Sequence, residues 1–94
     1  MQAHDAKSTL YEQFARVAKA VSHPKRLEIL DVLQQGERSV EAVAAESGLA
    51  MTTASAHLQI MRRVGLVAVR KDGTRVFYRV ADDTVPQLVR ALQA

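Results

Sequence analysis

Ninety-four residues, 48% of them hydrophobic and 24% charged, fit one globular domain over residues 1–94 with a single modest core and argue against wholesale disorder. The net charge is +3 and there are no cysteines, which removes disulfides, thiolate metal ligation and thiol redox sensing together and fits a cytoplasmic chain. No apolar run approaches the roughly 18 residues of a membrane span, and residues 1–7 lack the apolar stretch of a signal peptide, so no membrane partner is expected.

Over residues 8–21, Leu10, Tyr11, Phe14, Val17, Ala18 and Val21 recur at three- and four-residue spacing, which predicts an amphipathic helix ending at Ser22-His23-Pro24. Pro24 disfavours helical geometry at His23 and suits the first turn of a second helix. That helix is expected to run to about Gln35, bury Leu27, Ile29, Leu30 and Leu33, and stop at Gly36. Ser39 is a good N-cap for a short third helix over residues 40–47, with Val40, Val43 and Ala44 inward and Gly48 at its end. A fourth helix is expected over residues 52–64, anchored by Leu58 and Met61 with Ala54, and closed by Gly65.

The period then changes from helical to alternating. Val67 and Val69, then Val76, Tyr78 and Val80, fall on every second position around Asp72-Gly73, the signature of a two-residue hairpin. A last short helix is expected from about Asp83 or Thr84, presenting Val85, Leu88, Val89 and Leu92. The fold class expected is mainly α with a β-hairpin, a winged helix-turn-helix in the order α-α-α-α-β-β-α. No repeat or linker divides the chain.

Charge is segregated along this order. Residues 1–58 carry six Lys/Arg against seven Asp/Glu, whereas residues 59–80 carry Arg62, Arg63, Arg70, Lys71, Arg75 and Arg79 against Asp72 alone. Such a stripe is the footprint of a polyanion-binding face, and on charge alone an Arg-rich solvated surface is an equal alternative. Ala44-x-x-x-Gly48-Leu49 adds the core of a helix-turn-helix: small Ala for close approach, Gly for the turn, Leu to plug the corner. Taken alone, that spacing also suits a helix hairpin without a nucleic-acid role.

Context favours nucleic acid. Thr52, Thr53, Ser55, Ala56 and Gln59 give the fourth helix a small, polar, uncharged surface that can enter a major groove. The basic hairpin follows at once, with Arg70, Lys71 and Arg75 able to reach phosphates or an adjacent minor groove. The combination points to double-stranded DNA. No Gly-rich phosphate loop, paired acid–base carboxylates or nucleophile constellation marks an enzyme; Ser55 and His57 point to different sides of the helix.

The sequence resembles the arsenical-repressor-like (ArsR/SmtB) group of winged-helix repressors. The likeness is carried by Val21-Ser22-His23-Pro24-Lys25-Arg26-Leu27-Glu28-Ile29-Leu30, by Gly48-Leu49 and Ala54-Ser55-Ala56-His57-Leu58, by Arg62-Arg63-Val64-Gly65-Leu66-Val67, and by Arg70-Lys71-Asp72-Gly73 with Val76-Phe77-Tyr78. It extends in order over residues 14–80 and looks closest to the subgroup often joined to a rhodanese-like domain, although no such domain lies within these 94 residues.

The resemblance implies a homodimer joined through the first and last helices, here Leu10, Phe14, Val17, Val85, Leu88, Val89 and Leu92, that represses transcription from an imperfect inverted repeat. The apolar faces of those helices agree, because a small core cannot bury both. It also implies DNA contacts at Thr52, Ser55 and Ala56, with the wing at Arg70, Lys71 and Arg75. Two departures stand out. Ala50 replaces the usual Ser at the helix start, so a cap must come from Thr52, Thr53 or water; Ala56 offers only a methyl. His57 lies where the family often has His before Leu and reads as a helix-packing or phosphate-contacting imidazole, with Thr53, Gln59 and Arg62 completing the expected DNA-facing set.

Relatives often release DNA on sensing a metal or an oxidant. The segment matching their Cys-x-Cys metal site is Arg38-Ser39-Val40-Glu41-Ala42, and the C-terminal stretch offers only Asp82 and Asp83. A zinc or soft-metal site needs about four Cys or His ligands, which the chain does not supply, so neither metal nor cofactor is expected. His4-Asp5 offers at most a weak site across a dimer and reads better as a frayed terminus. The input left is a small molecule, a partner protein, or protein concentration alone. The rival to a DNA-binding repressor is a winged-helix protein-interaction module that does not read DNA.

Overall fold

Prolines, glycines and one serine punctuate the chain, and the elements fall between them. The computed structural model describes residues 3–81 and Arg90. Helix α1 (Ala3–Val21) begins earlier than the apolar spacing requires, with Asp5 in its first turn, where a carboxylate complements the helix dipole. Helix α2 (Pro24–Gln34) starts on Pro24 and is capped by His23, whose Nδ1 accepts the Lys25 N–H at 3.1 Å.

Helix α3 (Val40–Ser47) is capped by Ser39, whose Oγ accepts the Ala42 N–H at 3.1 Å. It ends in a Schellman turn: Gly48 takes φ 64°, its N–H reaches Ala45 O at 3.3 Å, and the Leu49 N–H reaches Ala44 O at 2.9 Å. Lys25 Nζ donates to the Ser47 carbonyl at 2.9 Å and ties α2 to the same turn. Helix α4 (Met51–Arg63) ends in the same way, with Gly65 N–H on Arg62 O and Leu66 N–H on Met61 O.

The hairpin is β2 (Val67–Asp72) and β3 (Arg75–Val80). Its register pairs Asp72 with Arg75, Lys71 with Val76 and Arg70 with Phe77, so the two loop residues are Gly73-Thr74 rather than Asp72-Gly73. Only Gly73 takes a positive φ, at 62°, which is the II′ arrangement with glycine first. Moving the loop by one residue shifts each cross-strand partner by two and keeps every side chain on its expected face. A short strand that the sequence does not announce, β1 (Arg38–Ser39), pairs with β3 and gives an antiparallel sheet in the order β1-β3-β2. Two residues are too few to carry an alternation.

Ile29, Val43, Ala54, Leu58 and Met61 are fully buried, with Leu33, Ala44, Leu66, Val67 and Tyr78 around them. Leu27, expected inside, is 53% exposed. Residues two apart on a helix do not share a face, so once Ile29 points inward Leu27 points out. In α1, Val17 and Ala20 belong to the protomer's own core, while Tyr11 and Phe14 are 54% and 36% exposed. Val17, expected at a dimer interface, is therefore spent on the interior. The expected last helix, with Val85, Leu88, Val89 and Leu92, lies outside the described residues; Arg90 is helical. Among the described residues no helix is long and apolar enough to cross a membrane.

Candidate nucleic-acid interface

Helix α4 divides into three stripes. Ala54, Leu58 and Met61 are its buried stripe, each at 0% exposure, and fix the helix on the core. Full burial of a Leu or Met side chain stabilises by about 1.5–3 kcal/mol, so these anchors set how far α4 stands out. Away from them lie Thr52, Ala56, Gln59 and Arg63, all exposed, with half-buried Ser55 beside them. Gln59 Nε2 donates to Ser55 Oγ at 3.1 Å, so the amide and hydroxyl are held together one turn apart on the helix surface.

The remaining stripe, with exposed Thr53 and half-buried His57, lies on the flank toward α1 and α2. His57 turns toward the α1–α2 junction: its Nδ1 accepts from Arg26 Nε at 3.1 Å, and its ring centre is 4.7 Å from that of His23. Arg26 Nη1 also donates to Ala20 O at 3.2 Å, so one guanidinium fastens α4 to the end of α1. Burial, with the charges of His23 and Arg26, pushes the His57 imidazole below its usual range. His57 therefore takes the helix-packing role, and Thr53 lies on the same flank. No side chain caps α4 at Ala50, so neither Thr52 nor Thr53 fills that place and the first-turn N–H groups carry no side-chain acceptor.

Strand alternation divides the basic hairpin as well. Val69, Lys71, Val76 and Tyr78 face α4, and with Val40, Ser55, Gln59, Arg62 and Arg63 they line a concave surface of about 480 Å³. Toward the loop, a second concavity brings in Glu41, Met51, Thr52 and Thr74. Arg70, Arg75, Phe77 and Arg79 occupy the opposite face. There Arg70 donates through Nη2 to Glu37 Oε1 at 2.7 Å and through Nε to Oε2 at 3.2 Å, and its guanidinium lies 4.6 Å from the Phe77 ring centre. Arg75 lies 5.0 Å from the same ring.

Arg62, Arg63, Lys71 and Arg75 form no salt bridge among the described residues. Of the expected DNA-facing set, the structure brings Thr52, Ser55, Ala56, Gln59, Arg62 and Lys71 to one side and puts Arg70 and Arg75 on the far face of the hairpin; Glu37 and Met51, which the sequence does not single out, lie beside these groups. Met51 lies one residue before the helix start expected from the sequence. Glu37 lies 33 residues from Arg70, with no spacing to signal the pair. Among the described residues no group of three or more His, Cys, Asp or Glu is placed to hold a metal ion.

A family model described as a helix-turn-helix domain matches residues 21–70. The biofilm growth-associated repressor of Agrobacterium fabrum is 35% identical over 82 residues, spanning 87% of this chain and 70% of that protein. The chain belongs to the helix-turn-helix transcriptional regulators. Among these regulators, HTH-type transcriptional regulator Rv0324 of Mycobacterium tuberculosis is 49% identical over 89 residues, or 95% of this chain; the match spans only 39% of that regulator's length. The fold is winged. A solution NMR structure of the homodimeric winged helix-turn-helix DNA-binding domain (fragment 1-100) Mb0332 from Mycobacterium bovis, described as a possible ArsR-family transcriptional regulator, superposes with TM-score 0.82. It is 49% identical and covers 95% of this chain and 82% of its own.

Proposed function

We propose that this regulator is a sequence-specific repressor of the arsenical-repressor-like family that acts in the cytoplasm, as a homodimer, on an inverted-repeat operator. The observation that carries this is α4: an uncharged surface of Thr52, Ser55, Ala56 and Gln59 stands clear of the core and is flanked by Arg62, Arg63 and Lys71 without salt-bridge partners among the described residues. Uncharged hydrogen-bonding groups suit base edges, while cations suit phosphates. Gln59 and Ser55 read the major groove; Arg62, Arg63, Lys71 and Arg75 hold the backbone. Half-sites then lie about one helical turn, roughly 34–36 Å, apart.

Dimerisation is supported by Tyr11 and Phe14, whose apolar surface on α1 is left uncovered, and by the homodimeric relative. Repression is supported by the biofilm growth-associated repressor. Placement in the subgroup often joined to a rhodanese-like domain rests on the sequence likeness alone. Residues 1–94 act as one DNA-binding unit with no catalytic step, no metal and no cofactor, and an inducing small molecule or protein partner would act on this unit.

The test is a mobility shift on the duplex upstream of the regulator's own gene, against excess competitor DNA. A complex that survives competitor at moderate salt, and whose sequence preference changes with Ser55→Ala or Gln59→Ala, is expected. No specific complex would favour the alternative, a winged-helix protein-interaction module, for which exposed Tyr11 and Phe14 would be the docking residues.

A further inference from the structure

The wing carries a carboxylate where a phosphate contact is expected. Arg70 is gripped by Glu37 through two parallel hydrogen bonds, at 2.7 and 3.2 Å, and lies over Phe77 at 4.6 Å, so its plane is fixed from two directions. Glu37 precedes β1, whose Ser39 pairs with Phe77 in β3, so the sheet itself brings the acid and the arginine to one face. That face is opposite to Lys71 and to α4. The Arg70 hydrogen bonds hold the Glu37 carboxyl below its usual range, so the acid is ionised near neutrality.

A carboxylate matches the guanidinium fork as a phosphate does, and it is tethered to the same chain, so it competes with DNA at high effective concentration. The Glu37–Arg70 pair has no net charge and releases no counterions on approaching DNA. We propose that Glu37 is a positioning residue for the wing, whose carboxylate withholds Arg70 from phosphates and so lowers sequence-independent attraction without touching the groove-reading helix. This rests on the DNA-binding reading above. An additional free arginine strengthens binding to every sequence alike, and the competing non-specific sites gain as much as the operator.

The experiment measures affinity for a mixed-sequence duplex as a function of salt by fluorescence anisotropy, with wild type, R70A, K71A, E37Q and E37Q/R70A. R70A is expected to keep the wild-type slope of log affinity on log salt, while K71A becomes shallower by about 0.9 per protomer. E37Q becomes steeper by about 0.9 per protomer, and E37Q/R70A returns to the wild-type slope. A merely structural role for Glu37 would change melting and leave the slopes alone. Three results overturn the proposal by itself: E37Q keeping the wild-type slope, R70A losing as much slope as K71A, or E37Q steepening the slope even without Arg70. Absence of any salt-dependent binding by wild type and all variants overturns the DNA-binding reading and this proposal with it.

Discussion

Gly48 is where the helix-turn-helix is most exposed to a single change. Its φ of 64° is in the left-handed region, and both Schellman bonds of the α3 end depend on that conformation. A Cβ built there meets nothing within 4 Å, so Gly48→Ala incurs the backbone penalty without a clash. That penalty is about 1–2 kcal/mol, offset by about 0.4–1 kcal/mol because alanine also narrows the unfolded chain. The net is about 1 kcal/mol, or roughly 4–8 °C in Tm for a domain of this size. Gly48→Asn should cost less, since asparagine tolerates the left-handed region. Both variants should keep wild-type affinity for DNA well below their melting points, because Leu58 and Met61, not the turn, fix α4 on the core. Melting followed by circular dichroism checks the order. Gly48→Ala as stable as wild type would remove the turn from the account. A loss above about 3 kcal/mol would also contradict it, because the left-handed backbone penalty alone does not reach that size.

Two further outcomes follow from a buried hydroxyl and a half-buried imidazole. Ser47 is 2% exposed and its Oγ has no hydrogen-bond partner, so Ser47→Ala should raise stability by about 1 kcal/mol, seen as a higher urea midpoint at unchanged slope; a lower midpoint would mean that the hydroxyl is satisfied. His57 in the folded chain binds its proton less readily than the ordinary value of about 6.5, so the unfolded chain gains protons first as pH falls. Stability should therefore fall as pH drops below about 6.5 and level off beneath the folded value. His57→Gln, compared by urea titration across that window, should remove its share of the decline; stability rising on acidification in wild type but not in the variant would contradict the sign.

Much of the scaffold is legible locally. Pro24, Ser39, Gly48 and Gly65 each act within a few residues, so helix boundaries follow from chemistry that the sequence displays. The buried stripe of α4 also follows, since Ala54, Leu58 and Met61 keep helical spacing. The features that escape are those made by distant partners. β1 exists because β3 offers it an edge, and Glu37 meets Arg70 only once that sheet forms. His57 is on the flank of α4, and only the position of Arg26 decides that it faces the protein rather than solvent. Lys71 and Arg70 are a different case: the alternation legible in the hairpin already puts these neighbours on opposite faces, and grouping both in one DNA-facing set overlooks it.

The central claim is that the outward surface of α4 reads DNA sequence while the cations beside it supply attraction. Selection of bound duplexes from a random pool at moderate salt tests it most directly, with wild type and Gln59→Ala run in parallel. The account predicts one inverted-repeat motif with half-sites about one turn apart for wild type, and an altered or degenerate position within each half-site for Gln59→Ala. Enrichment of no motif, or an identical motif from both proteins with Ser55→Ala likewise unchanged, would contradict it.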